Sequence, residues 1–180
     1  MFAPPCSTCS RALRQPMRSY KHIYGLPDLS AKNQIKVSNA NKCYLATARL
    51  VRSLHRKGRP WIIENPHTSF MWWMPEIYNL QWLPRVHPYV IDQCMYGTPW
   101  RKRTLLLCGN ISLDDMQWIK QCKTARGGIC SRTGQPHIRL SGKGPDGVSL
   151  TSKAARYPLK LARSLASVLV DTMGNIYEMG

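Results

Sequence analysis

An amphipathic helix pattern followed at once by a short buried-strand pattern constrains the fold of this chain most strongly. Between Asn41 and Lys57, apolar residues recur at steps of three and four, and Gly58 ends the run. Residues 60–63 then form an apolar run bounded by turn residues, which is typical of a buried parallel strand. A helix followed by a strand is the repeating unit of α/β proteins, so the sequence predicts an α/β fold.

Weaker patterns predict the remaining elements. They are, in chain order, a long basic loop over 11–39, a short helix begun by Pro75, strands over 89–94 and 103–108 joined as an antiparallel hairpin, a helix from Ser112 towards Lys120, loop over 121–150 with a strand at 137–140, and an amphipathic helix over 151–170 that Pro158 starts or kinks. The pattern therefore alternates helices and strands in the first two thirds and becomes rich in loops afterwards.

The charge balance narrows the class of partner. The chain has 26 Lys and Arg against nine Asp and Glu, a formal charge of +17 over 180 residues. This charge is spread along the chain and not gathered in one amphipathic helix, which favours nucleic acid over a membrane surface. The apolar runs are too short to span a bilayer. We therefore expect DNA as a partner and no membrane association.

The cysteines indicate a reducing compartment. Seven is an odd number, and the first residues have neither the basic start nor the apolar segment of a secretory leader. Cysteines stay reduced inside cells and pair in secreted proteins. The sequence therefore predicts an intracellular protein of the cytoplasm or nucleus.

Three short motifs follow one another along the chain. Residues 4–6 read Pro-Pro-Cys, residues 64–66 read Glu-Asn-Pro, and residues 96–104 read Tyr-Gly-Thr-Pro-Trp-Arg-Lys-Arg-Thr. Cys6, Glu64 and the basic hairpin each stand near a predicted strand end, where open α/β sheets place their sites. A thiolate that adds to C6 of cytosine makes C5 nucleophilic, provided that an acid near N3 takes up the charge. A cysteine, an acid and nearby basic donors are the groups that this chemistry needs.

Together the three motifs resemble the catalytic half of cytosine-C5 DNA methyltransferases. The resemblance implies that Cys6 is the nucleophile, that Glu64 contacts N3 of a flipped cytosine and that Asn65 positions it. It also implies that Arg101 and Arg103, on a basic hairpin, contact the base or a phosphate. Methyl transfer from S-adenosylmethionine to cytosine C5 is the activity expected from this resemblance.

The same resemblance extends to neighbouring residues. Nucleic-acid contacts are expected from Ser10, Arg11, Arg14, Lys102 and Thr104. Residues 154–159 resemble the last motif of the family, and cofactor contacts are expected from Pro4, Pro5, Tyr157 and Pro158. The chain departs from the family in three places: Pro66 stands where valine is usual, the glutamine of the basic segment is missing, and strict register puts Lys102 and Thr104 at the two arginine positions.

The resemblance also implies an architecture. It predicts a partial Rossmann-like methyltransferase sheet with a small basic, loop-rich appendage. Residues 1–110 would form the catalytic part of the α/β domain, 111–150 a small basic region with Cys and His, and 151–180 a C-terminal helix that packs back on the sheet. In the family, the motifs that hold S-adenosylmethionine precede the Pro-Cys loop, and we find none of them in these 180 residues. We therefore expect the isolated chain to be inactive and to need a separate chain that carries the S-adenosylmethionine-binding half.

The cysteines also permit a different class of function. Cys6 and Cys9 form a C-x-x-C pair, while Cys122, Cys130 and His137 lie in a later basic loop. Zinc takes four Cys or His ligands, so these three residues, with Cys108 as a further candidate, form an alternative metal site. The alternative function is a non-enzymatic basic nucleic-acid-binding module that zinc stabilises.

Overall fold

The computed structural model describes residues 1–11, 13–124 and 128–178, with backbone alone for 175–178, and the chain divides into two compact units. The first unit consists of Met1–Tyr89 and Leu105–Ser112, and the second of Val90–Thr104 and Leu113–Gly180. The domain boundaries expected from sequence, after residues 110 and 150, stay a prediction.

Seven helices and strands of regular geometry make up the described structure. They are α1 (Ala31–Arg56), β1 (Trp61–Pro66), α2 (Pro75–Tyr78), β2 (Val86–Asp92), β3 (Arg103–Gly109), α3 (Leu150–Lys153) and α4 (Leu159–Glu178). Single 3-10 turns lie at Phe70–Trp73, Asn79–Trp82, Gln93–Tyr96 and Asp114–Met116. The strands form one antiparallel sheet in the order β1-β3-β2. The predicted mixture of helices and strands is confirmed, and so is the pairing of β2 with β3.

Helix α1 begins earlier than its sequence pattern indicated. The predicted start is Asn41, but the helix starts at Ala31. The prediction of a loop over 11–39 is therefore wrong for residues 31–39. Val37 and Ala40 are buried and extend the apolar face of the helix towards its start. The carbonyl of Ser30 accepts the first helical amide hydrogen bonds, one of them from Gln34 at 2.9 Å. In the sequence, Val37 and Ala40 stand among polar residues, and two apolar positions are too few to predict the first turns of α1.

Strand β1 is buried along most of its length, as predicted, but its partners differ from the prediction. It pairs antiparallel with β3, and parallel pairing is limited to one bridge between Phe2 and Ile63. In that bridge Phe2 N–H donates to the carbonyl of Ile62 at 2.8 Å, and Glu64 N–H donates to the carbonyl of Phe2 at 2.9 Å. The bridge joins the start of the chain to β1.

The helix predicted from Ser112 towards Lys120 is wrong, because only the 3-10 turn Asp114–Met116 forms. The peptide groups that would continue it bind elsewhere in the second unit. The Tyr96 hydroxyl donates to the carbonyl of Trp118 and accepts from the amide of Lys120, both at 2.9 Å. The carbonyl of Lys120 in turn accepts the amide of Asp92 at 3.1 Å. These tertiary hydrogen bonds replace the helical ones.

The C-terminal helix predicted over residues 151–170 is broken into α3 and α4. Pro158 lies immediately before α4, and its carbonyl accepts the amide of Ala162 at 3.0 Å, so this proline starts the helix. The strand predicted at 137–140 is also wrong. Between residues 128 and 149, the described pairings are the single bridges Ile129–Pro136 and Lys143–Ser149.

The core of the first unit packs α1 against β1 and the short helices that follow. Its buried members are Cys9, Ala40, Tyr44, Ala48, Val51, Trp61, Ile63, Phe70, Met71, Met74, Ile77, Leu80, Val86 and Leu107. Asn110, at φ +55°, donates to the carbonyls of His55 and Arg59, both at 3.1 Å, and so ties the end of β3 to the end of α1. Within residues 1–11, 13–124 and 128–178, no helix has the length and apolar character needed to cross a bilayer.

The close approach of Trp61 to Gly109 gives the first prediction. A Cβ on Gly109 would overlap the Trp61 indole, which is fully buried and cannot move without disturbing the core. Gly109→Ala should therefore lower the free energy of unfolding by about 2–3 kcal/mol. Urea denaturation measures the change. Gly174→Ala is the matched control, because nothing lies within 4 Å of its added Cβ and a helical alanine stabilises. Equal stability of both variants would contradict this packing.

Candidate functional site

The bridge between Phe2 and Ile63 brings the first two motifs to one edge of the sheet. Phe2 runs parallel to β1, and the Pro-Cys loop follows Phe2 just as Glu64 and Asn65 follow Ile63. The Pro-Cys loop therefore begins beside the last residues of β1, which include Glu64 and Asn65. Cys6 lies on this loop and is half-buried.

Hydrogen bonds hold the carbonyl groups of the Pro-Cys loop almost one by one. The donors are Asn65 Nδ2 to Pro4 at 2.8 Å, the Tyr44 hydroxyl to Pro5, Cys9 N–H to Cys6 at 3.1 Å, Arg18 Nε to Thr8 at 3.2 Å and Phe70 N–H to Cys9 at 2.9 Å. The two prolines restrict φ as well. The backbone that carries Cys6 is therefore fixed before any ligand binds, which is the condition for a positioned nucleophile.

Arg18 connects this loop to α1 from inside the first unit. Its side chain is 1% exposed and donates to the Thr8 hydroxyl at 3.0 Å and to Asn41 Oδ1 at 2.7 Å. It also donates to the carbonyls of Ile23 at 2.7 Å and Val37 at 3.4 Å. All of these acceptors are neutral. Arg18 is thus a buried structural cation, and the sequence did not indicate it because it stands among exposed basic residues.

Tyr44 on α1 supports the loop from the other side. Its ring lies under the Arg18 guanidinium at 5.5 Å, and its hydroxyl is 3.5 Å from that of Thr8. Burial, with the neighbouring Cys9 thiol as a second cause, raises the pKa of Tyr44 well above its usual value. The phenol therefore keeps its proton at neutral pH and remains a donor to the loop.

Glu64 and Asn65 are both buried at the end of β1. The amide nitrogen of Asn65 is used to hold Pro4, while its Oδ1 has no hydrogen-bond partner among the described residues. A buried acceptor without a partner is uncommon and is often found where a ligand binds. The Glu-Asn motif therefore forms part of the same local structure as the Pro-Cys loop.

The third motif lies in the second unit and is tied down by its own contacts. Arg101 makes a two-point ion pair with the buried Asp92, through Nε to Oδ1 at 3.0 Å and Nη2 to Oδ2 at 3.3 Å. Arg103 is exposed and donates to Gln121 Oε1 at 3.0 Å. Lys102, at φ +22°, donates to the carbonyl of Ala154 at 2.7 Å. Of these three, Arg103 has the most exposed side chain, while Arg101 neutralises a buried carboxylate.

The other residues expected from the family vary in exposure. Thr104 is fully buried and donates to the carbonyl of Lys102 at 3.2 Å. Arg14 is exposed and Ser10 is half-buried. Arg11 is exposed and its guanidinium contacts Tyr20. Pro4 is half-buried and Pro5 exposed in the first unit, while Tyr157 and Pro158 are half-buried in the second. Their expected contacts with DNA and S-adenosylmethionine stay predictions.

A cluster of three cysteines and one histidine lies in the second unit. The ligand atoms of Cys94, Cys122, Cys130 and His137 all lie within 4.8 Å of one another. The sequence indicated three of these residues, but Cys94 is the fourth member in place of Cys108. Cys108 is buried in the first unit, where burial raises the pKa of its thiol. Cys94 was missed because it lies far from the other three in sequence.

Hydrogen bonds change the acidity of two thiols in this cluster. Burial alone would raise the pKa of Cys122, but donors led by the Ser131 hydroxyl outweigh it and lower that pKa. Burial also opposes the change at Cys130, where donors led by the Arg132 backbone lower the pKa to about 6. Burial raises the pKa of Cys94, and the neighbouring Cys122 adds to this effect. Two of the three sulfurs are thus set in surroundings that favour thiolate.

The structure shows two further candidates that the motifs did not indicate. The last turns of α1 border a cavity of about 400 Å³ lined by Arg49, Arg52, His55, Arg56 and Leu83. No Asp or Glu occurs in α1, and these arginines could have been found from this one-sided charge. In the second unit, Gln93 is fully buried, and neither polar atom of its side chain has a hydrogen-bond partner in the described part of the chain.

The Arg18 network gives the second prediction. Arg18→Met keeps much of the side-chain volume but removes the donor to the carbonyls of Thr8 and Ile23 and to Asn41 Oδ1, so the free energy of unfolding should fall by about 3 kcal/mol or more. Arg14→Met, which changes an exposed arginine of the same segment, should change it by less than about 0.5 kcal/mol. Urea denaturation followed by tryptophan fluorescence measures both. A loss for Arg18→Met no larger than that of the control would show that the network does not support the unit.

The predicted residues thus fall into two groups, each within one unit. Cys6, Glu64 and Asn65 belong to the first unit, and the basic hairpin and the Cys/His cluster belong to the second. Comparison of the chain with protein-family models, with curated proteins and with solved structures gives no match.

Proposed function

We propose that this chain carries the catalytic residues of a cytosine-C5 DNA methyltransferase, with Cys6 as the nucleophile. The observation that carries the proposal is the hydrogen bond from Asn65 Nδ2 to the carbonyl of Pro4. It joins the Pro-Cys loop to the Glu-Asn motif, two short motifs that are distant in sequence and resemble those of one family. If Asn65 had only a structural role, its hydrogen-bond partner would not need to be a loop that carries a cysteine.

The strand directions support a partial Rossmann-like sheet as the scaffold. Because β3 is antiparallel to both of its neighbours, β1 and β2 run in the same direction. Phe2 also runs in that direction, and α1 forms the crossover from Phe2 to β1. Parallel segments joined by a helix are the unit of doubly wound α/β sheets, which often include one reversed strand. The sheet of this chain would be one part of such a sheet.

The covalent step follows from the groups at the strand ends. Cys6 loses its proton to solvent, and the sulfur of the thiolate forms a bond to C6 of cytosine. The π electrons of the C5–C6 bond move towards C5 and, through C4, towards N3. Glu64 in its protonated form donates a hydrogen bond or a proton to N3 and so stabilises that charge. C5 is then electron-rich enough to take an electrophile. Loss of the C5 proton to solvent, return of the N3 proton to Glu64 and expulsion of the Cys6 sulfur as thiolate restore the aromatic ring.

S-adenosylmethionine would supply the methyl group to C5. The carbonyl of Pro4 is bonded to Asn65 and that of Pro5 to Tyr44, so these two acceptors are already used. The family's cofactor motifs are not among these 180 residues. We therefore propose that methyl transfer needs an S-adenosylmethionine-binding half from outside these 180 residues, for example on a separate chain, and that these residues alone do not turn over.

Charge and compartment complete the proposal. The formal charge of +17 and the arginine-lined cavity of α1 favour DNA as the partner, because phosphates release counterions when basic side chains neutralise them. A cysteine nucleophile needs a reduced thiol, so we place the protein in a reducing compartment, the cytoplasm or the nucleus.

The second candidate function is a non-enzymatic nucleic-acid-binding module, which the Cys/His cluster of the second unit favours.

The third prediction tests the covalent step without the cofactor. In a single-stranded oligonucleotide that contains 5-azacytosine, the base is already unstacked, and protonation of N5 traps the sulfur adduct. The chain should form an adduct that peptide mapping by mass spectrometry assigns to Cys6. Glu64→Gln should form it roughly 100-fold more slowly, because the proton donor to N3 is removed.

Cys43 provides the internal control for that reaction. It is an exposed thiol on α1, so it reports nonspecific alkylation. Cys6→Ser should abolish the adduct, and Cys43→Ser should leave it unchanged. No adduct at Cys6, or equal reaction at Cys6 and Cys43, would overturn the catalytic assignment and leave the binding module as the better interpretation.

The fourth prediction concerns the arginines of α1. Replacing Arg49, Arg52 and Arg56 together by Gln should weaken binding to duplex DNA and lower the slope of log K against log salt by up to about 2.7, because each phosphate that is no longer neutralised lowers it by about 0.9. Fluorescence anisotropy over a salt series measures the slope. The control replaces three exposed basic residues of the second unit, Lys143, Lys160 and Arg163. An equal decrease in the control would show that net charge alone, and not the α1 cavity, sets the affinity.

A further inference from the structure

The distances within the Cys/His cluster match those of ligands around one metal ion. Cys122 Sγ lies 4.0 Å from Cys130 Sγ and 3.7 Å from His137 Nε2. Tetrahedral zinc, with its usual bond lengths to sulfur and nitrogen, holds sulfur atoms about 3.8 Å apart and sulfur and nitrogen about 3.6 Å apart. Cys94 Sγ lies in the same group, since all four ligand atoms are within 4.8 Å of one another.

The composition of the cluster distinguishes it from an ordinary core. Cys94, Cys122 and Cys130 are 0%, 4% and 3% exposed, and they form a buried cluster by themselves with Met95 packed against it. Buried structural cysteines normally pack among aliphatic and aromatic side chains. Three thiols and an imidazole that converge on one point have little apolar area to bury, so packing alone does not explain their position.

The local backbone presents these ligands from three segments. Cys94 belongs to the 3-10 turn Gln93–Tyr96 that follows β2. Cys130 and His137 stand on the two sides of a tight loop, which the Ile129–Pro136 bridge closes. Inside that loop, Cys130 N–H donates to the carbonyl of Gln135 at 2.9 Å. Cys130 and His137 each directly follow a residue of this bridge, so their side chains lie on the same face of the paired segments.

Donors around Cys122 complete the surroundings that a metal-bound thiolate requires. Its sulfur accepts the Thr124 hydroxyl at 3.3 Å, the amide of Ser131 at 3.3 Å and the hydroxyl of Ser131 at 3.5 Å. The amide of Cys122 itself donates to Asp92 Oδ2 at 2.8 Å. Hydrogen bonds to the ligand atoms of structural metal sites fix their orientation and stabilise their charge.

We propose that the second unit binds one zinc ion through Cys94, Cys122, Cys130 and His137. Three thiolates and one imidazole fill the tetrahedral positions, so no position remains for water or substrate and the site is structural. All three sulfurs bind as thiolates, so any thiol proton still present is released to solvent, and no change of oxidation state is involved. The ion would join the turn after β2 to Cys122 and to the loop that carries Cys130 and His137. The site is independent of the chemistry proposed for Cys6.

Metal analysis and cobalt substitution of the full chain test the site. Protein purified under reducing conditions should contain one zinc ion per chain. Replacement of that zinc by Co²⁺ should give the visible bands of tetrahedral cobalt together with the near-ultraviolet charge-transfer band of cobalt thiolate. Cys122→Ser should bind zinc more than about 100-fold less tightly, because a direct ligand matters more than a supporting hydrogen bond.

Matched cysteines outside the cluster serve as controls. Cys43→Ser and Cys108→Ser, both in the first unit, should keep one zinc ion and the same cobalt spectrum. If Cys122→Ser does not fold, the spectrum of the unaltered chain still decides. A chain that binds no metal, or whose cobalt spectrum lacks the thiolate band, overturns the proposal. A disulfide between Cys122 and Cys130 in the reduced preparation, seen as a decrease of two hydrogens in the intact mass, does so as well.

Discussion

The buried guanidinium of Arg18 is the interaction on which the first unit most depends. It donates to the Pro-Cys loop, to the segment before α1 and to α1 itself, and every acceptor is neutral. The carbonyls of Thr8 and Ile23 lie outside helices and strands, so the planar fork of donors satisfies both of them and adds a bond to the Val37 carbonyl inside α1. Without Arg18 the carbonyls of Thr8 and Ile23 would lose this donor, at a cost for each comparable to that of breaking a hydrogen bond. Tyr44 and Asn65 donate in the same way to the carbonyls of Pro5 and Pro4 in this loop.

In the first unit a buried cation with neutral acceptors positions the candidate nucleophile, whereas an ion pair and a sulfur cluster organise the second unit. Asp92 is buried there and is satisfied by Arg101 and by the amide of Cys122. The same residue therefore connects the basic hairpin to the Cys/His cluster. In a chain with only nine acidic residues, a buried carboxylate that accepts from two elements is a strong constraint. Arg101 serves first to neutralise it, which leaves Arg103 as the exposed cation of the hairpin.

The two proposals use cysteine in opposite ways. Cys6 is half-buried on a loop in which most carbonyls accept hydrogen bonds from other groups, and its sulfur is the proposed nucleophile. The cysteines of the cluster are buried and surrounded by one another and by a histidine. A nucleophilic sulfur must be accessible to its substrate, whereas metal ligands must lie close together around one point. The different burial of Cys6 and of the cluster cysteines fits these two roles.

The sequence by itself determined the elements that depend on local patterns. The apolar run before Glu64 became β1, Pro75 and Pro158 start helices, and the hairpin of β2 and β3 forms near its predicted position, because such signals act over a few neighbouring residues. Only the tertiary structure decided the partners of polar groups. Tyr96 and Asp92 bind the peptides of 118–120 that local pattern assigned to a helix, and Cys94 joins ligands far away in the chain. A buried polar group takes whichever partner the packed chain brings within about 3 Å, and no short stretch of sequence records that distance.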